Sequence, residues 1–194
     1  MTKIATHSLP ILTTWALTTW ALAASAIALG TVSPALAALP QGAKAPDFTA
    51  KGALGGKPIE FNLKQALRKG PVVLYFFPKA FTPGCTMEAH AFAESAADFQ
   101  KAGATVIGMS TDDQAALEKF SSLECRNKFP VASASPAVVS AYDVSFKKDG
   151  KALGLTDRTS YVIGTDGKIA MVHSDLDWRG HVIRSLAAVR KLRR

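Results

Sequence analysis

The stretch Val72-Val73-Leu74-Tyr75-Phe76-Phe77 followed by Pro78-Lys79-Ala80-Phe81-Thr82-Pro83-Gly84-Cys85 decides the fold. Six consecutive apolar residues are what a strand buried on both faces of a sheet requires. Pro78 ends that strand because it has no N–H for the ladder. After Cys85, the apolar residues Met87, Ala91, Phe92, Ala96 and Phe99 recur at helical spacing, and Gly103 supplies the stop. Cys85 therefore stands where a strand hands over to a helix. A thiolate there faces unpaired backbone N–H groups and the positive end of the helix dipole, so the position suits a reactive cysteine.

Strands and helices alternate on either side of this handover. Upstream, Asp47-Phe48-Thr49-Ala50, a Gly55-Gly56 turn and Ile59-Glu60-Phe61 read as a hairpin, and Asn62 caps a brief helix through Leu67. Downstream, Thr105–Ser110 reads as a second buried strand, and Asp112 or Asp113 caps a helix to about Leu123. Phe129-Pro130-Val131-Ala132 reads as a short strand, and Ser135-Pro136 opens a small helix. Phe146–Asp157, rich in glycine and lysine, reads as an exposed loop. Arg158–Gly164 and Lys168–His173 pair across Asp166-Gly167. A last helix is expected to present Val182, Ile183, Leu186, Val189 and Leu192 on one face. This order predicts an α/β protein with a central mixed sheet flanked by helices and an N-terminal β-hairpin extension, the order of the thioredoxin-like fold.

Residues 1–37 differ from the rest. They hold no acid and one base, Lys3, then an apolar, Thr/Ala-rich run from Ile11 to Gly30 and Ala35-Leu36-Ala37. They read as a secretory signal peptide cleaved after Ala37, which places residues 38–194, a single domain, in a bacterial periplasm or outside the cell. The run exceeds the usual ~7–15 residues of such a core, so an uncleaved membrane anchor is the alternative. Losing Lys3 changes the formal charge from +8 to +7. No basic patch interleaved with aromatics accompanies that charge, and a solvated basic surface is expected rather than a nucleic-acid site. Four histidines scattered without ligand spacing imply no metal. Two cysteines exclude a disulfide-dense scaffold, while an exported chain makes a Cys85–Cys125 bridge chemically possible.

Pro78-x-x-x-Thr82-x-x-Cys85 resembles the signature of the peroxiredoxins, and the likeness extends from Ala45-Pro46-Asp47-Phe48 to the final helix. Phe76-Phe77-Pro78, Gly84-Cys85-Thr86, Glu88 and Arg158 agree with it, and the bacterioferritin-comigratory-protein type is the most similar. The resemblance implies a thiol-dependent peroxidase for hydrogen peroxide or organic hydroperoxides, with no cofactor or metal. It implies electrons drawn from a thioredoxin-like protein or a small thiol. It casts Cys85 as the peroxidatic nucleophile, Thr82 and Arg158 as its partners, Pro78 as the roof of the pocket and Glu88 as the orienter of the arginine. Many such relatives carry a second cysteine five residues after the first; here that residue is His90. Cys125 is then the candidate resolving cysteine, with Arg126 expected to favour its thiolate, against a route finished by an external thiol. The competing readings share the fold. A dithiol oxidoreductase needs C-x-x-C, where this chain has Glu88, and a copper carrier needs two thiols near a histidine. A non-enzymatic binding domain would hold a structural Cys85–Cys125 disulfide.

Overall fold

A computed structural model describes residues 38–193. The expected signal peptide, residues 1–37, lies outside them. Strands β1 (Thr49–Leu54) and β2 (Lys57–Asn62) pair antiparallel across the turn at Gly55-Gly56. They do not stand apart as an appendage, because β1 also pairs with β5 (Val131–Ser133) and so joins the central sheet. With β3 (Val72–Phe76), β4 (Thr105–Ser110), β8 (Thr159–Ile163) and β9 (Ile169–Ser174), the seven strands run in the order β2-β1-β5-β4-β3-β8-β9. β3, β4 and β5 are parallel to one another, and the other pairings are antiparallel.

The alternation of β3 divides the interior into two cores. Val72, Leu74 and Phe76 point to one face, where they meet Leu63 and Ala66 of α1 (Leu63–Leu67), Val138 of α5 (Pro136–Ala141), Tyr142 and Tyr161. Val73, Tyr75 and Phe77 point to the other. There they meet Cys85, Ala89 and Phe92 of α2 (Pro83–Glu94), Phe99 of α3 (Ala96–Lys101), Leu117 and Phe120 of α4 (Gln114–Leu123), and Val182 and Val189 of α6 (His181–Leu192). Every residue of β3 is fully buried, as a strand covered on both faces must be. Cys85 is part of the second core, so the reactive-cysteine turn is packed from behind by the strand that leads into it.

Three local expectations are corrected. Phe146–Asp157 is not a loop: β6 (Ser145–Lys148) and β7 (Lys151–Thr156) form a separate two-stranded hairpin. Its tip, Asp149-Gly150, takes positive φ at both residues (51° and 75°), the backbone that closes a tight hairpin. The helix after Cys85 breaks at Ser95, whose ψ of 0° separates α2 from α3. On α6, Ile183 (73% exposed) and Leu192 (44%) turn outward, and the inward face instead carries the polar His181 and Ser185 beside Val182 and Val189. Apolar periodicity misses that face because two of its buried positions are polar.

The small-residue requirement behind the site is at Gly108, opposite Tyr75 in the β3–β4 pairing. A Cβ there would lie 2.7 Å from Tyr75 Cζ, in a ring stacked on Phe92 at 4.3 Å and unable to retreat. Gly108→Ala is expected to lower the unfolding free energy by about 1–3 kcal/mol, the usual cost of overpacking, measured as a reduced urea midpoint at constant slope.

Candidate active site

Beyond β3, Phe77 continues the pairing through one more bond, its N–H donating to the Met109 carbonyl at 2.9 Å. Its own carbonyl accepts from the buried Thr156 hydroxyl at 2.7 Å. Pro78, half-buried, ends the pairing. The following turn is anchored by Asp112, whose Oδ2 accepts from the Ala80 N–H and from the Ser110 hydroxyl, both at 2.8 Å. Of the two aspartates expected to cap α4, Asp113 does so and Asp112 holds this turn instead. Phe81 takes φ 64°, a conformation that costs a non-glycine residue about 1–3 kcal/mol, and rests edge-on against Phe120 at 5.3 Å. Thr82 then takes the N-cap position of α2 without a side-chain capping bond, and Pro83 follows at the first helical position, pre-set for the helix.

Cys85 is the third residue of α2 and 1% exposed. One helical turn on, Glu88 points to the same side and is completely buried. Arg158, between β7 and β8, reaches both. Its Nη1 donates to Glu88 Oε2, its Nη2 lies 3.5 Å from Cys85 Sγ, and its Nε donates to the Leu176 carbonyl at 2.9 Å. All three nitrogens of the guanidinium are used, which a lysine could not reproduce. Burial pulls the Arg158 guanidinium down and the charges of Glu88 and Cys85 push it up, with a net rise. Burial pushes the Glu88 carboxyl above the usual carboxylate range, although Arg158 pulls it down.

A second layer stands behind Glu88. His181, fully buried at the start of α6, has Nε2 2.9 Å from the Asp175 carbonyl and Nδ1 2.8 Å from Ser160 Oγ on β8. Burial depresses its pKa to about 4, so the ring is neutral at neutral pH. The Tyr75 hydroxyl is buried near Glu88 and both cysteines without a hydrogen-bond partner among the described residues. Burial and the neighbouring Cys125, Glu88 and Cys85 keep it protonated.

Cys85, Glu88 and Arg158 thus meet, as the sequence leads one to expect. The Thr82 hydroxyl donates to the Lys79 carbonyl at 3.0 Å, which leaves its oxygen lone pairs as acceptors. His90, where a second thiol would stand, pairs with Glu124 at 2.7 Å. Cys125 shares the second core with Cys85, but both thiols are free. The expected help from Arg126 is absent, because its guanidinium pairs with Glu94 at 3.2 Å. Burial, with Glu124 adding to it, pushes the Cys125 thiol far above its ordinary value. His181, Ser160, Asp112 and the Leu176 carbonyl carry no sequence signal, since each acts through a contact distant in the chain. Gly84 is visible in the motif, but its reason is spatial: a Cβ there would sit 3.1 Å from Arg158 Nη2.

A buried thiol at a helix N-terminus, faced by a guanidinium and built on a thioredoxin-like sheet, defines a protein that uses cysteine as a nucleophile. The AhpC/TSA family model matches residues 41–172, and the chain belongs to that family. A Helicobacter pylori J99 protein named as a bcp peroxiredoxin is 34% identical over 151 residues, which cover 76% of this chain and 96% of that one. Peroxiredoxin Bcp of Escherichia coli K12 is 35% identical over 112 residues, covering 57% and 72%. The solved structure of peroxidoxin BcpB from Mycobacterium tuberculosis superposes with a TM-score of 0.72 at 33% identity, covering 80% of this chain and 99% of that one. The activity that goes with this membership is that of a thiol-dependent peroxidase.

Gly84→Ala should displace the guanidinium from the sulfur by a few tenths of an ångström. We expect the second-order rate of peroxide consumption to fall about 10-fold, the equivalent of weakening one charged hydrogen bond in the transition state. A wild-type rate would mean that Arg158 shifts without cost.

Proposed function

We propose that Cys85 is the peroxidatic nucleophile and that the chain reduces hydrogen peroxide and organic hydroperoxides by a one-cysteine route. The observation that supports the first part is the Arg158 guanidinium, which bridges Cys85 Sγ and the Glu88 carboxylate inside the protein. The thiolate attacks one peroxide oxygen, an S–O bond forms as the O–O bond breaks, and the other oxygen leaves as hydroxide or alkoxide and takes up a proton. Arg158 offers its N–H groups to the negative charge as it moves from sulfur to oxygen. Thr82 accepts the O–H of the attacked oxygen, orienting it for in-line displacement. Pro78 brings no competing donor to the pocket.

The sulfenic acid is then attacked by an external thiol, a mixed disulfide and water form, and a second thiol releases Cys85. The burial of Cys125 and its raised thiol support this route over internal resolution, which would need local unwinding. A thioredoxin-like protein or a small thiol fits as the reductant. The composition of residues 1–37 supports export to the periplasm or beyond.

Cys85→Ser should abolish peroxide consumption by the reduced protein, and Thr82→Val should slow it at least ~10-fold. Consumption that survives Cys85→Ser sinks the assignment, and an unchanged Thr82→Val rate removes the hydroxyl from it. Intact-mass spectrometry after one equivalent of peroxide should find sulfenic or sulfinic acid at Cys85; a Cys85–Cys125 disulfide would overturn the one-cysteine route. On protein from an exporting bacterial host, the same spectrum should show Ala38 as the first residue if the segment is cleaved.

A further inference from the structure

We propose that Glu88 and His181 form a proton-holding pair behind Cys85, so that when the Cys85 thiol becomes a thiolate its proton equivalent is kept between Glu88 Oε1 and His181 Nδ1. His181 is then a positioning residue of the reaction, acting through Glu88 and Arg158. The inference rests on the reading of Cys85 as the nucleophile and adds where its proton goes.

The geometry begins with the histidine tautomer. The Asp175 carbonyl can only accept, so His181 Nε2 carries the hydrogen of that bond. In the neutral ring Nδ1 then has a lone pair, and the Ser160 hydroxyl donates to it. Nδ1 also lies 3.7 Å from Glu88 Oε1. Oε1 is fully buried and has no hydrogen-bond partner among the described residues, whereas Oε2 is taken by Arg158. Oε1 and Nδ1 are thus two acceptors with no donor between them, and a proton on Oε1 would take the single Nδ1 lone pair over from the Ser160 hydroxyl. One proton between them would satisfy the orphaned oxygen and draw the pair to hydrogen-bond distance.

Charge balance points the same way. With Cys85 as thiolate, Glu88 ionised and Arg158 cationic, the buried cluster holds two negative charges against one positive. A proton on the Glu88–His181 pair makes it neutral, the state a low-dielectric interior favours. The other groups facing the pair do not supply the missing charge. Tyr75 on β3 stays protonated and neutral, and Asp175 faces His181. His173 on β9, its ring 4.6 Å from that of His181, is held toward its neutral form by burial and then by Arg184. The step is balanced: Cys85–SH with Glu88–COO⁻ becomes Cys85–S⁻ with Glu88–COOH, hydrogen-bonded to His181 Nδ1. No proton leaves the site.

The test is infrared spectroscopy of reduced full-length protein, at a pH where the ultraviolet absorbance of the thiolate is present. The difference spectrum of wild type against Cys85→Ser, which has no thiolate, should contain the C=O stretch of a protonated carboxyl. Glu88→Gln should lose that band, and His181→Gln, which keeps a donor toward Asp175 but removes Nδ1, should shift it to higher frequency. No band in the wild-type difference spectrum overturns the proposal. A band unmoved by His181→Gln overturns the part of His181. The comparison of wild type with Cys85→Ser leaves both pair residues in place and decides the matter even if His181→Gln does not fold. Peroxide consumption is measured in the same samples. A wild type that consumes peroxide without the band removes the proton pair alone, whereas one that consumes none removes the reading of Cys85.

Discussion

The Arg158–Glu88 ion pair is the constraint around which the site is built. Both members are buried, Glu88 completely and Arg158 to 5% exposure. Breaking such a pair by removing one partner typically costs about 3–5 kcal/mol, because the other charge is left without compensation. Here the guanidinium is compensated on three sides: by the carboxylate, by the Leu176 carbonyl and by the Cys85 sulfur. The third of these is where chemistry can occur. A fold that must keep Arg158 satisfied has, in doing so, held a cation against its cysteine.

That arrangement depends on elements far apart in the chain. Cys85 and Glu88 ride one turn apart on α2, Arg158 enters from the β7–β8 connection, and Leu176 and His181 flank the short turn before α6. What fixes their relative positions is the second core, in which Tyr75 of β3 and Phe77 just beyond it pack beneath α2 and α4. Gly108 makes room for the Tyr75 ring from the neighbouring strand, and Gly84 makes room for the guanidinium. Two absent side chains thus set how closely strand, helix and arginine approach.

The two cysteines show how far environment separates residues of one type. Both are buried in the same core. Cys85 meets a guanidinium at the start of a helix, and Cys125 meets apolar side chains at the end of one, with Glu124 beside it. Neighbouring charge in the sequence was a poor guide. Arg126 adjoins Cys125 but turns its charge to Glu94, whereas Arg158 lies 73 residues from Cys85 and reaches it.

Much of this was legible in the amino-acid order alone. The six-residue apolar run, the Pro78 stop and the helix after Cys85 predict the strand-to-helix handover, because a strand buried on both faces and an amphipathic helix each leave a periodic signature. Asn62, Ser135 and the Asp112-Asp113 pair announce caps through local chemistry, the motif names Thr82 and Cys85, and the wider resemblance adds Glu88 and Arg158. Other features were out of reach. Asp149-Gly150 carries a hairpin signal that the surrounding lysines masked, and the inward face of α6 is half polar, so periodicity placed Ile183 and Leu192 on the wrong side. His181 looks like any isolated histidine until β8 and the Asp175 carbonyl fix its tautomer and α2 brings Glu88 within 3.7 Å. The sequence by itself determined most of the elements and singled out Cys85 as the candidate nucleophile, since both rest on local pattern. Only the tertiary structure decided which charges surround that cysteine, because desolvation and partner geometry are properties of residues brought together from distant parts of the chain.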